Sequence, residues 1–314
     1  MLRYTGKRIA TGMLSLFVLA TVTFFLIHYM PGSPFQSGAV SPQVVEALEK
    51  EYGLGEPLFI QYLSYMGGLL KGNLGISYAE PGTSAAEIIG RAWPLTASLG
   101  LAALLTAVLV GTALGILRAV SGRRAVKGII SAGEMLAAGI PGFAAAFLLL
   151  FVFSMKLKLL PVSGLLSPAH YILPTVSLAL YPAAVISRLL GNALETELRK
   201  EYVVFARMKG LGAGRIVLTH ALKNAYLPVL RYLGPASAYL LTGSFAAESI
   251  FNIPGLGREF VNSITNRDYT LIMALTIFMG TVVILANLLT DLLCAWLEPR
   301  TRRQLSESSA SGRG

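Results

Sequence analysis

The stretch that decides the fold is LTASLGLAALLTAVLVGTALGIL, residues 95–117, which contains no charged side chain. A helix rises about 1.5 Å per residue, so about 20 apolar residues cross a hydrocarbon core roughly 30 Å thick. Backbone groups inside lipid have no water to bond, so such a run must be helical. The chain therefore contains a membrane-spanning helix at this position.

Similar apolar runs lie on both sides of this stretch. They are residues 9–29, 128–155, 171–186, 226–247 and 269–290. The run 128–155 includes one acid, Glu134, and the run 171–186 continues past Arg188. The run 226–247 is interrupted by Arg231. We expect six transmembrane helices in an all-α integral membrane protein.

The composition of the 314-residue chain supports the same class. Hydrophobic residues make up 54% and charged residues 13%, and the mean hydropathy is +0.64, whereas soluble domains carry about 25% charged residues. The net charge of +10 would suit a nucleic-acid-binding protein only if the bases shared one water-exposed face, but most flank apolar runs. Cys294 is the single cysteine, and the three histidines are far apart. The sequence therefore predicts no nucleic-acid partner, no disulfide framework and no metal site.

Lysine and arginine near the ends of the apolar runs set the orientation, because cytoplasmic loops carry an excess of them. With the N-terminus inside, only seven of the 26 basic residues lie outside: Lys50, Lys71, Arg91, Lys156, Lys158, Arg258 and Arg267. The first run also resembles a secretory signal, but its length of about 21 residues exceeds a typical signal core. We expect an uncleaved first helix, both termini in the cytoplasm, and a multi-pass protein of the cytoplasmic (inner) membrane.

The soluble segments follow from this arrangement. In the external segment 32–93, Ser41 and Pro42 predict a helix N-terminus, and Gly53 predicts the end of that helix. This segment is either a folded spacer or a docking surface for an external partner. The complete division is residues 1–31 for the first helix, 32–93 outside, 94–303 for the other five helices, and a tail 304–314 expected to be disordered.

The longest cytoplasmic segment, 191–227, has an unusual pattern. A charged helix-forming stretch from Glu195 to Lys209 is broken by three glycines, Gly210, Gly212 and Gly214. A helical pattern restarts at Arg215, and its apolar stripe consists of Val217, Leu218, Ala221, Leu222 and Ala225. Two short helices joined by a glycine bend would form either a protrusion that fits a partner's groove or a connector that merely covers the bundle.

Several ionisable residues lie in or near the apolar runs, where burial of a charge is costly. We expect Glu134 to bind Lys127 or solvent near the inner surface, and Arg188 to extend its charge to the cytoplasmic face. Glu248 lies at the outer end of the fifth run, and Asn287 and Asp291 lie near the inner end of the sixth. These three are candidates for the substrate path.

Two further predictions are structural. His28 lies near the outer end of the first run and is interpreted as an interfacial residue rather than a ligand. Gly111 and Gly115 are spaced four residues apart, which favours close packing of this helix against another.

Short motifs along the chain resemble ATP-binding-cassette (ABC) importer permeases of the peptide-transport family. The cytoplasmic segment carries EYVVFARMKGL (201–211) and HALKNAYLP (220–228). The others are PGSPF (31–35), YGLGEPL (52–58), GNLGIS (72–77), LPVSG (160–164), ILP (172–174), ESIFNIPGLG (248–257), NRDY (266–269) and EPR (298–300). PGSPF, YLGPA (232–236) and LTGS (241–244) look most like the B-type membrane subunit of oligopeptide permeases.

One departure from the broader importer pattern concerns this cytoplasmic loop. The general loop begins Glu-Ala-Ala, with its glycine six residues after the glutamate. Counting back from Gly210 places Val204 and Phe205 at the first two positions, so only Ala206 and Gly210 match. Any acidic contact at the start of the loop is therefore not expected.

The resemblance implies a type I ABC importer permease fold and a defined set of partners. These are a homologous C-type permease subunit, two cytoplasmic ABC ATPases, an external substrate-binding protein, the peptide substrate and membrane lipid. The chain has no G-x-x-x-x-G-K-[ST] phosphate loop, so ATP and Mg²⁺ belong on the partner ATPases and the chain itself is not an enzyme. The ATPase-coupling residues would be Ala206, Arg207, Lys209, Gly210, Leu211 and Gly212.

Alternatives remain at this stage. The cargo could be an oligopeptide, a dipeptide or a nickel chelate, since permeases for all three share the general frame. A secondary transporter would be expected to show repeated halves with acids near mid-membrane, and a membrane enzyme would need a nucleophile–base pair or a metal-ligand cluster in the spans.

Overall fold

The computed structural model describes residues 2–29, 55–165 and 167–297, and the regular elements in these ranges are helices. The helix predicted between Ser41 and Gly53 and the tail 304–314 lie outside the described residues. The helices are α1 (Leu2–His28), α2 (Leu58–Leu70), α3 (Ala85–Val120), α4 (Arg124–Gly139), α5 (Gly142–Leu149), the π-helix π1 (Leu150–Lys156), α6 (Ala169–Glu197), α7 (Glu201–Met208), α8 (Ala213–Arg215), the π-helix π2 (Ile216–Ala221), α9 (Leu222–Ala225), α10 (Leu227–Leu241), α11 (Phe245–Ile250), α12 (Leu256–Thr265) and α13 (Tyr269–Leu297).

Four helices are long and apolar enough to cross a membrane: α1, α3, α6 and α13. They confirm the first, second, fourth and sixth predicted spans. The 36 residues of α3 extend about 54 Å, well beyond a 30 Å hydrocarbon core. Because α3 begins at Ala85, the last part of the predicted external segment is the first part of this helix.

The third predicted span is not one straight helix. Helix α4 and the pair α5–π1 meet at a bend of 106°. Ile140 has extended backbone angles and Pro141 follows it, as expected because proline disfavours helical geometry in the residue before it. The prediction of one continuous run over 128–155 was therefore wrong in shape, although all of it except the break is helical.

The fifth predicted span was too long. Helix α10 has 15 residues and rises only about 22 Å, less than the hydrocarbon thickness. The chain turns at Gly243, where φ is +91°, and Ser244 caps the next helix by accepting a hydrogen bond from the Ala247 N–H. Residues 245–247 therefore belong to α11 and not to the fifth span.

The centre of the fold is the pairing of α3 with α6. A Cβ atom at Gly111 would lie 2.7 Å from the Ala183 carbonyl, and one at Gly115 would lie 2.9 Å from the Ser187 carbonyl. Glycine is thus required for the two backbones to approach, which confirms the packing role predicted for this pair. Buried Ile186 and Leu190 of α6 fill the same interface.

Candidate functional site

The segment around α7 is built by a specific helix end. Gly210 has φ of +78°, and its N–H donates to the Arg207 carbonyl at 2.9 Å, while the Leu211 N–H donates to the Ala206 carbonyl at 3.3 Å. This pair of bonds is the Schellman arrangement, which favours glycine because its positive φ carries no side-chain penalty. Leu211 then folds back onto α7, and Gly212 precedes the restart of the helix at α8.

One face of α7 is packed inward. Val203 and Ala206 are buried against Ile216 of π2, and Leu198 and Leu211 close the edges of this small core. The core fixes the orientation of α7 relative to the rest of the segment. The predicted break at the glycines is confirmed, but the stretch 195–209 is not one helix, because α6 ends at Glu197 and α7 begins at Glu201.

The opposite face of α7 exposes apolar side chains. Phe205 is 59% exposed and Met208 is 72% exposed, and Val204 lies beside them with half of its surface accessible. The Lys209 ammonium lies 5.2 Å from the centre of the Phe205 ring, within the range of a cation–π contact. A cluster of exposed apolar side chains on a helix too short to span a membrane is typical of a protein-binding site.

The six predicted coupling residues fall into two groups. Ala206 is buried and Leu211 partly buried in the inward core, whereas Arg207, Lys209, Gly210 and Gly212 are exposed. Apart from the adjoining residues of the chain, no described atoms lie within 4 Å of a Cβ placed at Gly210 or Gly212, so both positions are open. Their coupling role stays a prediction.

Sequence reasoning missed Val204, Phe205 and Met208. Spacing alone does not find them, because Val203 and Ala206 share one helix face at i and i+3, while Val204 and Met208 share the opposite face at i and i+4. The packing of Ile216 on the first pair decides which face is exposed.

The second half of the segment also differs in detail from its prediction. Val217, Ala221 and Ala225 are buried, as expected from the stripe, but Leu218 is 63% exposed. Leu222 is partly buried against the same core, so Leu218 is the one residue of the predicted stripe that is exposed.

Polar contacts join α7 to the end of α6. Glu197 accepts a hydrogen bond from the Tyr202 hydroxyl at 2.7 Å and from the Lys200 ammonium at 2.5 Å. Burial raises the pKa of Tyr202, and the hydrogen bond to Glu197 raises it further, so the hydroxyl remains a donor at neutral pH. These contacts hold α7 at a fixed angle to the long helix that precedes it.

The predicted pairing of Glu134 with Lys127 was wrong. Lys127 instead donates to Glu195 of α6 at 2.7 Å, and Glu134 binds Arg118 of α3 at 2.9 Å. Lys127 and Glu134 lie about two turns apart on α4, or roughly 10 Å along the axis, whereas α6 and α3 pass much closer. Arg188 is half exposed, with its Nε 4.0 Å from Glu134 Oε2.

The three candidates for the substrate path lie in two separate places. Glu248 lies in α11 and is 1% exposed. Its carboxylate accepts hydrogen bonds from Thr96 Oγ1 at 3.0 Å and from the Arg258 N–H of α12 at 2.9 Å. Asp291 binds Arg8 of α1 at 3.2 Å, and the Asn287 amide donates to the Val283 carbonyl of its own helix at 2.9 Å. Their assignment to the path stays a prediction.

Three glycines form a cradle around the Glu248 carboxylate. Cβ atoms at Gly243, Gly255 and Gly257 would lie 2.8, 2.6 and 3.1 Å from atoms of the Glu248 carboxyl group. Burial raises the pKa of Glu248, while hydrogen bonds from Arg258, Thr96, Gly257 and Ser244 oppose the shift. Among the described residues, no lysine or arginine side chain forms an ion pair with Glu248 within 4.0 Å.

An aromatic cavity of about 290 Å³ lies between α1, α2 and the start of α13. The His28 Nδ1 bonds the Phe24 carbonyl at 2.8 Å, and its ring stacks on Phe24 with centroids 4.0 Å apart. The rings of Phe24, Tyr65, Tyr78 and Tyr269 line the cavity. His28 is therefore part of a packed aromatic cluster at this end of the helix.

Comparison with protein families gives two matches that together span most of the chain. Residues 111–303 match the model described as "Binding-protein-dependent transport system inner membrane component". Residues 1–100 match the model for the N-terminal part of the membrane component of such systems.

Curated proteins give matches over nearly the full length. The oligopeptide transport system permease protein OppB of Haemophilus influenzae is 38% identical over 305 residues, covering 96% of this chain and all of that protein. The dipeptide transport system permease protein DppB of Lactococcus lactis subsp. cremoris is 36% identical over 302 residues, with the same coverage. OppB of Salmonella typhimurium is 37% identical over 305 residues, again with 96% and 100% coverage.

Among solved structures, the fold is similar to a chain from an inward-facing structure of the MetNI methionine ABC transporter. The TM-score is 0.54 at 17% identity, and the match covers 67% of this chain and 96% of that one. This likeness supports the fold alone.

Proposed function

The chain belongs to the family of binding-protein-dependent transport system inner membrane components, and from this premise we propose that it imports oligopeptides as one half of a permease heterodimer. As a member of this family it is a multi-pass membrane permease subunit of an ABC importer in the peptide-transport group. The proposed partners are a C-type permease, two cytoplasmic ATPases that hold ATP and Mg²⁺, and an external binding protein. In this proposal the chain hydrolyses nothing, and both of its termini lie in the cytoplasm.

The observation that carries this proposal is the outward face of α7. Val204, Phe205 and Met208 are exposed on a helix whose other face is fixed by Val203 and Ala206. A short helix with an apolar face is recognised by laying that face into a groove on a partner. We take the partner to be an ATPase, since this segment is cytoplasmic in the orientation that the basic residues favour.

The mechanism follows from the rigidity of the segment. Closure of the ATPase dimer on ATP displaces the docked α7, and the contacts of Glu197 transfer that displacement to α6. ATP can shift the permease between inward-open and outward-open states only through its different affinity for those states. Peptide delivered by the binding protein enters the outward-open state, and hydrolysis returns the complex to the inward-open one.

Replacement of the outward face tests the docking. Phe205→Ser combined with Met208→Ser removes apolar surface that is already exposed, so the chain should insert and fold normally. We expect co-purification with the ATPases and peptide uptake in proteoliposomes both to fall about tenfold or more, because interface anchors cost about 2 kcal/mol or more when truncated.

The matched control is Leu159→Ser, which removes an equally exposed leucine, 68% accessible, on the predicted outer side. Uptake should be unchanged in this variant. Normal uptake and normal ATPase binding in the Phe205/Met208 variant would contradict the proposed contact.

A dipeptide cargo is the second candidate, favoured by the identity to DppB, which is close to that to OppB. Competition of labelled tri-alanine uptake by di-alanine, penta-alanine and a nickel chelate separates these possibilities. Displacement by penta-alanine supports an oligopeptide cargo. Displacement by di-alanine alone, or by the nickel chelate alone, would replace it.

A further inference from the structure

A buried ion pair joins three helices at the end of the molecule that carries α7. Arg118 lies in the last turn of α3, and its Nη1 donates to Glu134 Oε2 of α4 at 2.9 Å. The side chains are 10% and 3% exposed. Ser187 of α6 donates to the other carboxylate oxygen at 2.6 Å, so both oxygens of Glu134 are engaged.

The same arginine also contacts α6 directly. Its Nη2 donates to the amide oxygen of Asn192, and a Cβ atom at Gly191 would lie 2.8 Å from its Nε. The guanidinium group therefore lies flat against α6 in a space that only glycine leaves open. Because an arginine fork binds in a fixed direction, these contacts define the relative position of α3, α4 and α6 and not merely their proximity.

Further polar contacts continue from this cluster toward α7. Lys127 of α4 binds Glu195 of α6 at 2.7 Å, about one turn beyond Asn192. Glu197 follows and binds Tyr202 of α7 at 2.7 Å. The contacts thus form a continuous series from the ends of α3 and α4, along α6, to the helix that carries the outward apolar face.

We propose that Arg118 and Glu134 are positioning residues of the transport cycle, which make the inner ends of α3, α4 and α6 move with α7 as one rigid body. A fold stabilised by apolar packing alone would need no buried charges here, because a buried ion pair contributes little net stability relative to apolar residues of similar volume. What the ion pair adds is a fixed relative orientation of the three helices. The inference rests on the proposed function only in taking α7 as the contact with the ATPase.

The first test measures rigidity directly and needs no cargo. Spin labels are placed at two exposed positions, by Arg124→Cys on α4 and Thr196→Cys on α6, in a chain whose single native cysteine is replaced by Cys294→Ala. In the assembled complex the distance between labels should differ by less than about 2 Å between the nucleotide-free and ATP-bound states, the scale of ordinary helix adjustments. A larger nucleotide-dependent change in this otherwise native background would overturn the proposal.

The second test replaces the pair by apolar residues of similar size, Arg118→Met with Glu134→Leu. This change preserves packing, so the complex should assemble and hydrolyse ATP within about twofold of the native rate, while labelled tri-alanine carried per ATP falls about tenfold. The distribution of distances between the two spin labels should broaden or split when ATP binds to this variant. Arg118→Lys keeps the charge but lacks the planar fork, so its peptide carried per ATP should also stay well below the native value.

The outcomes separate the two proposals. A native level of peptide carried per ATP in the double variant, or parallel loss of assembly, hydrolysis and transport, would overturn the positioning role. Failure of the native complex to take up any peptide, with the label distance unchanged, would refute the proposed cargo and leave the rigid body supported.

Discussion

Two buried glutamates occupy opposite ends of the molecule and are stabilised in different ways. Glu134 is neutralised by an arginine and held by side chains from α3 and α6. Glu248 receives hydrogen bonds from Thr96 and from backbone N–H groups, inside a cradle of three glycines. The first carboxylate joins long helices to one another, and the second fixes a turn.

The difference explains which elements each site can control. Arg118 lies at the end of the long helix α3 and binds Glu134 of α4. A displacement of one of these helices would therefore be transmitted to the other through the Glu134 cluster. The Thr96 hydroxyl of α3 and the Arg258 N–H of α12 both donate to Glu248 of α11, so the cradle is suited to hold this turn against α3. Burial disfavours the charged form of the carboxyl group, and this raises the pKa of Glu248.

Among the substitutions that test this difference, Arg118→Ala should have the largest effect on stability. The variant leaves Glu134 buried without its main partner, and we expect the free energy of unfolding to fall by about 3–5 kcal/mol. Chemical denaturation in detergent measures the change. Glu80 and Arg91 form an exposed ion pair at 2.9 Å, and Arg91→Ala should cost less than about 1 kcal/mol. Equal losses in the two variants would contradict the importance assigned to burial.

A smaller effect is expected at the cradle from Gly255→Ala. The added methyl group would lie 2.5 Å from Thr96 Oγ1 and 2.6 Å from the Glu248 carboxyl carbon, so the turn must shift. We expect a loss of about 1–3 kcal/mol, typical of overpacking. Gly90→Ala is the matched control, since Gly90 lies in α3 with open space at its Cβ position, and it should be neutral or slightly stabilising. A Gly255→Ala chain as stable as the control would show that the turn accommodates the added methyl group without strain.

The smallest expected effect on stability comes from the titration of Glu248, not from its packing. Glu248 lies in α11, outside the spanning helices, and its pKa is raised above the ordinary value of 4.5. Its contribution to stability is therefore fully present below the unfolded-state pKa and is lost as pH rises through the raised folded-state pKa.

Glu248→Gln keeps the shape but removes this titration, so less stability should be lost between acid and neutral pH than in the native chain. Thermal unfolding of purified chain across that pH range provides the measurement. An identical pH dependence in the variant would mean that another group titrates.

The sequence was sufficient for those spans that are uninterrupted runs without charges. Proline alone did not reveal the bend at Pro141, because Pro94 lies within α3, and Pro174 and Pro182 lie within α6, without ending those helices. A pattern of apolar residues therefore does not encode whether a proline ends a span.

The candidate site was predictable in place but not in orientation. Gly210 and its neighbours identified the segment, yet the outward face consists of Val204, Phe205 and Met208, which required knowing that π2 packs against the other side. The pairing of Arg118 with Glu134 was equally hidden. The two lie 16 positions apart on different helices, and only the reversal between α3 and α4 brings them together.

The glycine cap at the end of α7 makes the length of this helix as important as its composition. Successive residues of a helix are rotated by about 100° around its axis, so one inserted residue before the cap would turn Phe205 away from its present direction while Leu211 kept its contact. The segment would remain folded, but the apolar face of α7 would no longer point in its present direction. Related chains could therefore exchange one apolar side chain for another along this face, whereas an insertion or deletion within the helix would require the proposed partner surface to change with it.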